Sequence, residues 1–90
     1  MSAETGVRAV VEVLAKALAD RPDDVRVTES HHKQVTLIEL FASPQDLAKM
    51  IGRQGRTAAA LRTLASTAGE REGKQVTLEI RESDRRTGGQ

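Results

Sequence analysis

Residues 43–64 read SPQDLAKMIGRQGRTAAALRTL, and the fold turns on how the two glycines in the middle are read. Gly52 and Gly55 stand three apart, with Arg53 and Gln54 between them, Met50 and Ile51 before them and Arg56 after them. Fixing a glycine costs backbone entropy, so a pair this close between two helical patterns marks a joint. The stretch before it opens as a helix does. Ser43 can cap, Pro44 suits the first helical position, and Asp46 sits three after the cap. There is room for about two turns before Gly52. After the joint, residues 56–73 read as a longer helix, with Ala58, Leu61, Leu64, Ala65 and Ala68 as its apolar stripe and Gly73 as its stop.

Upstream, QVTLIELFA (34–42) is rich in β-branched and apolar residues and reads as a strand. Thr36, Ile38, Leu40 and Ala42 share one face; Val35, Leu37, Glu39 and Phe41 share the other. VRVTES (25–30) alternates and reads as a shorter strand, with HHK (31–33) as the turn between the two. Pro22 biases Arg21 away from helical geometry, so DRPDD (20–24) ends an amphipathic helix over 5–19, whose apolar positions are Val7, Val10, Val11, Leu14 and Leu18. Downstream, KQVTLEI (74–80) alternates Val76, Leu78 and Ile80 and gives a third strand. The expected order is α-β-β-α-α-β, an α+β domain over 5–80 with a three-stranded sheet and its helices on one face. Residues 1–4 are expected to be flexible, and the polar run RESDRRTGGQ (81–90) to be a disordered tail.

Composition narrows the function. A chain of 90 residues is one domain, burying about 60–65% of its unfolded surface. Phe41 is the only aromatic residue and cysteine is absent, which excludes a disulfide or thiolate-metal scaffold and fits a cytoplasmic protein. No apolar run reaches the ~20 residues of a membrane helix. The opening MSAETGVRAV carries Glu4 and no basic start, so no signal peptide is expected. Net charge is +1, too little to coat nucleic acid by bulk charge, so any such binding must be local. His31 and His32 lack a third ligand and read as an exposed turn rather than a metal site. Asp20, Asp23 and Asp24 around Pro22 read as turn and capping residues. No nucleophile–base or paired-carboxylate pattern is present, so neither catalysis, metal nor cofactor is expected.

The joint has chemistry of its own. Gly52 can end the first helix in a left-handed conformation, and Gly55 can let another backbone come close. The amides of residues 53–57 then point outward at the positive end of a helix dipole, which suits a phosphate. Arg53 and Arg56 flank that point and can pair with phosphate oxygens. The pattern is neither a Walker A loop nor a dinucleotide fingerprint. By itself G-x-x-G is more often a tight turn between helices than a binding loop.

With its I-G-x-x-G signature, the 43–64 stretch resembles the core of a KH domain, and the element order is like the type II arrangement. IGRQGRTAAALRT and the strand after EGK resemble the small bacterial single-KH RNA-binding proteins of the KhpA type, over roughly residues 5–80. KH domains hold single-stranded nucleic acid, with a GxxG loop clamping about four nucleotides. The resemblance implies that Gly52, Arg53, Gln54 and Gly55 touch the sugar-phosphate backbone, helped by Lys49, Arg56 and Thr57. Bases would lie in a groove between the short helices and the middle strand, floored by Ile51, Ala58 and part of 34–42. It also implies post-transcriptional control or RNA-chaperone activity, and a homodimer or a heterodimer with a second KH protein. Thr57 and Ala58 are smaller than the aliphatic residue KH domains often carry there. With no aromatic near the groove, stacking on rings cannot supply the ~1–3 kcal/mol per base of stacking platforms. Phe41, Val35 and Leu37 lie on the face away from the helices. Either a bulge or a different strand phase buries them, or they form a partner surface.

Overall fold

The structure is a computed structural model that describes residues 6–83. The expected flexible stretch 1–4 and the tail beyond Ser83, with Arg85 and Arg86, lie outside the described residues. Helix α1 spans Val7–Leu18, and a single 3₁₀ turn at Pro22–Asp24 leads into strand β1, Arg26–His32. Strand β2 (Val35–Ala42), helix α2 (Pro44–Ile51), helix α3 (Arg56–Arg71) and strand β3 (Gln75–Glu82) follow. The sheet order is β1-β2-β3, with β1 antiparallel and β3 parallel to the middle strand. The expected α-β-β-α-α-β order is thus the observed one.

Strand β2 decides the layering. Thr36, Ile38, Leu40 and Ala42 are buried beneath the helices, while Val35, Leu37, Glu39 and Phe41 are half-buried on the opposite face. The register runs without interruption from His32↔Val35 to Arg26↔Phe41, so no bulge turns Phe41 inward. Two strand ends differ from the sequence reading. His31 and His32 close β1 rather than forming the turn, which falls on Lys33 (φ 59°) and Gln34. Their rings lie within hydrogen-bonding distance of side-chain hydroxyls, His31 Nδ1 3.3 Å from Thr36 Oγ1 and His32 Nε2 3.2 Å from Ser30 Oγ. Strand β3 runs past Ile80 to Glu82, because Arg81 and Glu82 pair with Phe41 and Ala42, and the Ser83 amide donates to the Ala42 carbonyl at 2.7 Å.

The core joins Val7, Val11 and Ala15 of α1, Val27 of β1, Ile38, Leu40 and Ala42 of β2, Met50 of α2, Leu61 and Ala65 of α3, and Leu78 of β3. The buried stripes of α1 and α3 favour small residues over large ones. Ala9, Ala15 and Gly69 are buried, whereas Leu18 and Leu64 are 42% and 49% exposed. Small contacts let helix and sheet backbones approach. A Cβ on Gly69 would overlap the Val76 side chain and lie 3.2 Å from the Lys74 carbonyl oxygen. Gly73 (φ 73°) then ends α3, its amide donating to the Glu70 carbonyl at 3.0 Å and that of Lys74 to the Gly69 carbonyl at 2.8 Å. Those two bonds are a Schellman ending.

Candidate nucleic-acid interface

Helix α2 is capped as its sequence requires: Ser43 Oγ accepts from the Asp46 amide at 3.3 Å. The Asp46 side chain does something the sequence did not disclose. It is fully buried, and its two carboxylate oxygens accept from the backbone amides of Asp20 and Arg21, each at 2.9 Å. These two amide bonds, then the nearby Lys49 charge and the Ser43 hydroxyl, hold its pKa below the ordinary aspartate value. The only hint in the chain was Pro22, which stops the preceding segment from continuing as helix and leaves amides needing partners. Lys49 reaches back to the same place, pairing with the Asp20 carboxylate and lying 4.0 Å from Asp46. It faces the α1–β1 connection and is already neutralised there.

At the joint, the Gly52 amide closes α2 on the Ala48 carbonyl at 2.9 Å. Gly52 itself has φ 78° and ψ 172°. This is not the expected left-handed conformation but an extended, positive-φ region open essentially to glycine alone. A Cβ there would collide with the Thr57 side chain and lie 2.9 Å from its amide nitrogen. The left-handed residues are Gln54 (φ 57°, ψ 25°) and Gly55 (φ 73°, ψ 16°). Around Gly55 a Cβ would meet nothing within 4 Å. So Gly52 supplies the close approach expected of Gly55, and Gly55 supplies the left-handed turn expected of Gly52.

Helix α3 therefore begins bare. No side chain caps it at Gly55, and its first turn holds no acid. Arg53, Gln54 and Arg56 are exposed, and Arg56 Nη2 donates to Gln54 Oε1 at 3.2 Å. Among the described residues neither arginine has a carboxylate partner, unlike Arg8, Arg21, Lys49, Lys74 and Arg81. Cations at a helix N-terminus oppose its dipole, so the protein alone gains nothing from this placement. Thr57 is half-buried and Ile51 is 43% exposed beside the loop. Ile51 and Gly52 to Thr57 thus stand together at the joint, and Lys49 turns aside. The expected groove floor needs correction. Ala58 is only 5% exposed, and Ile38 and Leu40 are fully buried, so neither Ala58 nor the helix-facing side of the middle strand lines an open surface. Helix α3 lies along β3 instead, and β3 is an edge strand.

An α-β-β-α-α-β fold with its G-x-x-G joint between the second and third helices is the type II KH fold. The family described as KhpA/KhpB, KH domain matches residues 8–80, and the chain belongs to that family. RNA-binding protein KhpA of Caldanaerobacter subterraneus subsp. tengcongensis is 49% identical over 71 residues, covering 79% of this chain and 95% of the relative. KhpA of Aquifex aeolicus is 46% identical over 78 residues, 87% and 99% of the two chains. KhpA of Mycobacterium tuberculosis is 40% identical over 74 residues, 82% and 89%. Among solved structures, Era in complex with MgGDPNP and nucleotides 1506–1542 of 16S ribosomal RNA matches with TM-score 0.60 and 18% identity. Aquifex aeolicus Era bound to GDP and aluminium fluoride matches with TM-score 0.63 and 18% identity. Each match covers 91% of this chain and 31% of the Era chain, a likeness of fold.

Proposed function

We propose that this protein is a non-catalytic, cytoplasmic RNA-binding protein that holds about four nucleotides of single-stranded RNA, with their backbone over Gly52–Gly55. The observation that carries this reading is the uncapped start of α3, where Arg53 and Arg56 stand without carboxylate partners among the described residues, at the positive end of the helix. The Gly55 and Arg56 amides already donate to the Gly52 and Arg53 carbonyls, so a phosphate here pairs with the two cations and gains the field of the helix start. The name RNA-binding protein borne by the KhpA relatives supports it. Gly52, Arg53, Gln54, Gly55, Arg56 and Thr57 contact the RNA backbone, and Ile51 offers apolar surface beside it. Lys49 makes no contact on this reading, since Asp20 holds it. In the cell such a protein serves post-transcriptional control or acts as an RNA chaperone.

The test is fluorescence anisotropy with labelled single-stranded RNA at two salt concentrations. The wild type is expected to bind with a salt slope of about 0.7 per phosphate contact. The Arg53→Asp/Gln54→Asp double variant is expected to lose binding while its circular dichroism is unchanged. A double variant that binds as well as the wild type removes the loop from the site.

A second reading is favoured by the outer sheet face. There Val35, Leu37 and Phe41 form a half-buried row with no helix over it among the described residues. On this reading the protein dimerises, or pairs with a second KH protein, and RNA binding is secondary. Equilibrium sedimentation of the wild type and of Phe41→Glu separates the two. Association that the variant abolishes supports the interface, and a monomer at every concentration for the protein alone and mixed with a second KH protein removes it.

A further inference from the structure

Beyond Arg56, helix α3 carries Arg62 and Arg71, neither with a carboxylate partner among the described residues, and the geometry of Arg62 is unlike that of the loop arginines. It sits seven residues beyond Gly55, which on a helix is about 10 Å along the axis. It lies on the side of α3 that packs on β3, since Ala58, Ala65 and Gly69 of that side are buried. Its Nε donates to the Leu78 carbonyl oxygen of the edge strand at 3.3 Å. Leu78 is 4% exposed, whereas Arg62 is exposed. The guanidinium is thus anchored at one atom on a rigid part of the sheet. Its two terminal nitrogens, with four N–H groups between them, have no partner among the described residues.

We infer that Arg62 is a base-reading residue, selecting a base with two adjacent acceptors at the position about two helical turns from the GxxG clamp. The inference rests on the RNA reading above and adds a specificity that reading lacks. Arginine has five donors and no acceptor. Bound at Nε, its outer pair remains as a fork that matches two neighbouring lone pairs. Guanine offers O6 with N7, and cytosine offers O2 with N3. Adenine sets a donating amino group beside N1 and N7, and uracil sets an N–H between its two carbonyls. Neither of these last two answers a fork of donors. The bond to Leu78 pre-orients the fork, so the cost of ordering a long side chain is partly met before RNA arrives. The bland alternative is that Arg62 does no more than cover the backbone of an exposed edge strand.

The experiment uses the full chain and single-stranded oligouridine carrying one central cytosine, guanine or adenine. Thermal unfolding is followed in parallel. The wild type is expected to prefer the cytosine or guanine oligomer over the adenine one by about fivefold or more, the lower range for a good bidentate base contact. Arg62→Lys keeps the charge but has no fork. It is expected to bind oligouridine within about twofold of wild type and to lose the preference. Arg62→Gln is expected to lose it too. A wild type that binds all the oligomers equally, or an Arg62→Lys variant that keeps the preference, overturns the inference and leaves the loop reading intact. Equal weakening of all oligomers together with a lowered melting temperature shows a structural cover only and also overturns it. A wild type that binds none of these RNAs, while remaining folded, removes both readings.

Discussion

At the scale of single residues, the two loop glycines are not equivalent. Gly52 combines a positive φ with a wall formed by Thr57, whereas Gly55 has a positive φ and open space. Gly55→Ala is therefore expected to cost about 1–2 kcal/mol, the strain of a left-handed alanine. Gly52→Ala is expected to cost more, because the added methyl also displaces Thr57. Urea denaturation of both variants checks the ranking, and equal midpoints would refute it. The sequence made both glycines conspicuous but could not rank them. Spacing shows that a joint exists, while the dihedral at each position depends on which side chain folds against it. Asp46 was opaque for a related reason. Its place three after a cap explained it locally, and its amide partners lie 25 and 26 residues away.

At the scale of elements, the helices and strands were legible because their periods differ, with a stripe every three to four residues against strict alternation. Their ends were less so. The histidines were read as a turn because polar residues usually make one, yet strand pairing carried on through them. Likewise Arg81 and Glu82 looked like tail but extend β3, where Arg81 Nε meets Glu39 at 3.0 Å. The middle strand was expected to floor a groove, yet its helix-facing residues are covered, because sequence order does not reveal which strand lies at the edge. The packing of α3 on β3 hangs on Gly69. Alanine has the higher helix propensity by about 1 kcal/mol. Yet Gly69→Ala is expected to destabilise the domain, since its Cβ has Val76 in the way. A calorimetric melt that rises in the variant would show that the sheet yields and propensity decides.

At the scale of the whole molecule, a small core leaves stability sensitive to a few charged ties. Glu12 lies 3.1 Å from Lys16 and 2.9 Å from Arg8, and these partners lower its pKa, Lys16 most. Asp46 is lowered by the amides of Asp20 and Arg21. A carboxyl with a depressed folded pKa contributes stability that is complete above its unfolded value and lost as pH falls through the folded one. The domain is thus expected to hold its urea midpoint from neutrality down to the ordinary values of 4.5 and 3.8 and to weaken below them. Asp46→Asn is expected to be weaker at neutral pH, since an amide NH₂ would face one of the two backbone donors, and flatter below pH 4 or so. A variant with the wild-type slope in acid would show that Asp46 is not the group responsible. The parallel pairing of β2 with β3 has a further consequence during synthesis. Both helices that carry the loop lie within the crossover between those strands. A nascent chain that has emerged only as far as Gly73 has every residue of the loop but no β3 on which α3 can seat. The bonds that shape the G-x-x-G turn are local, but the sheet surface that seats α3 is complete only once the eight residues of the last strand have left the ribosome.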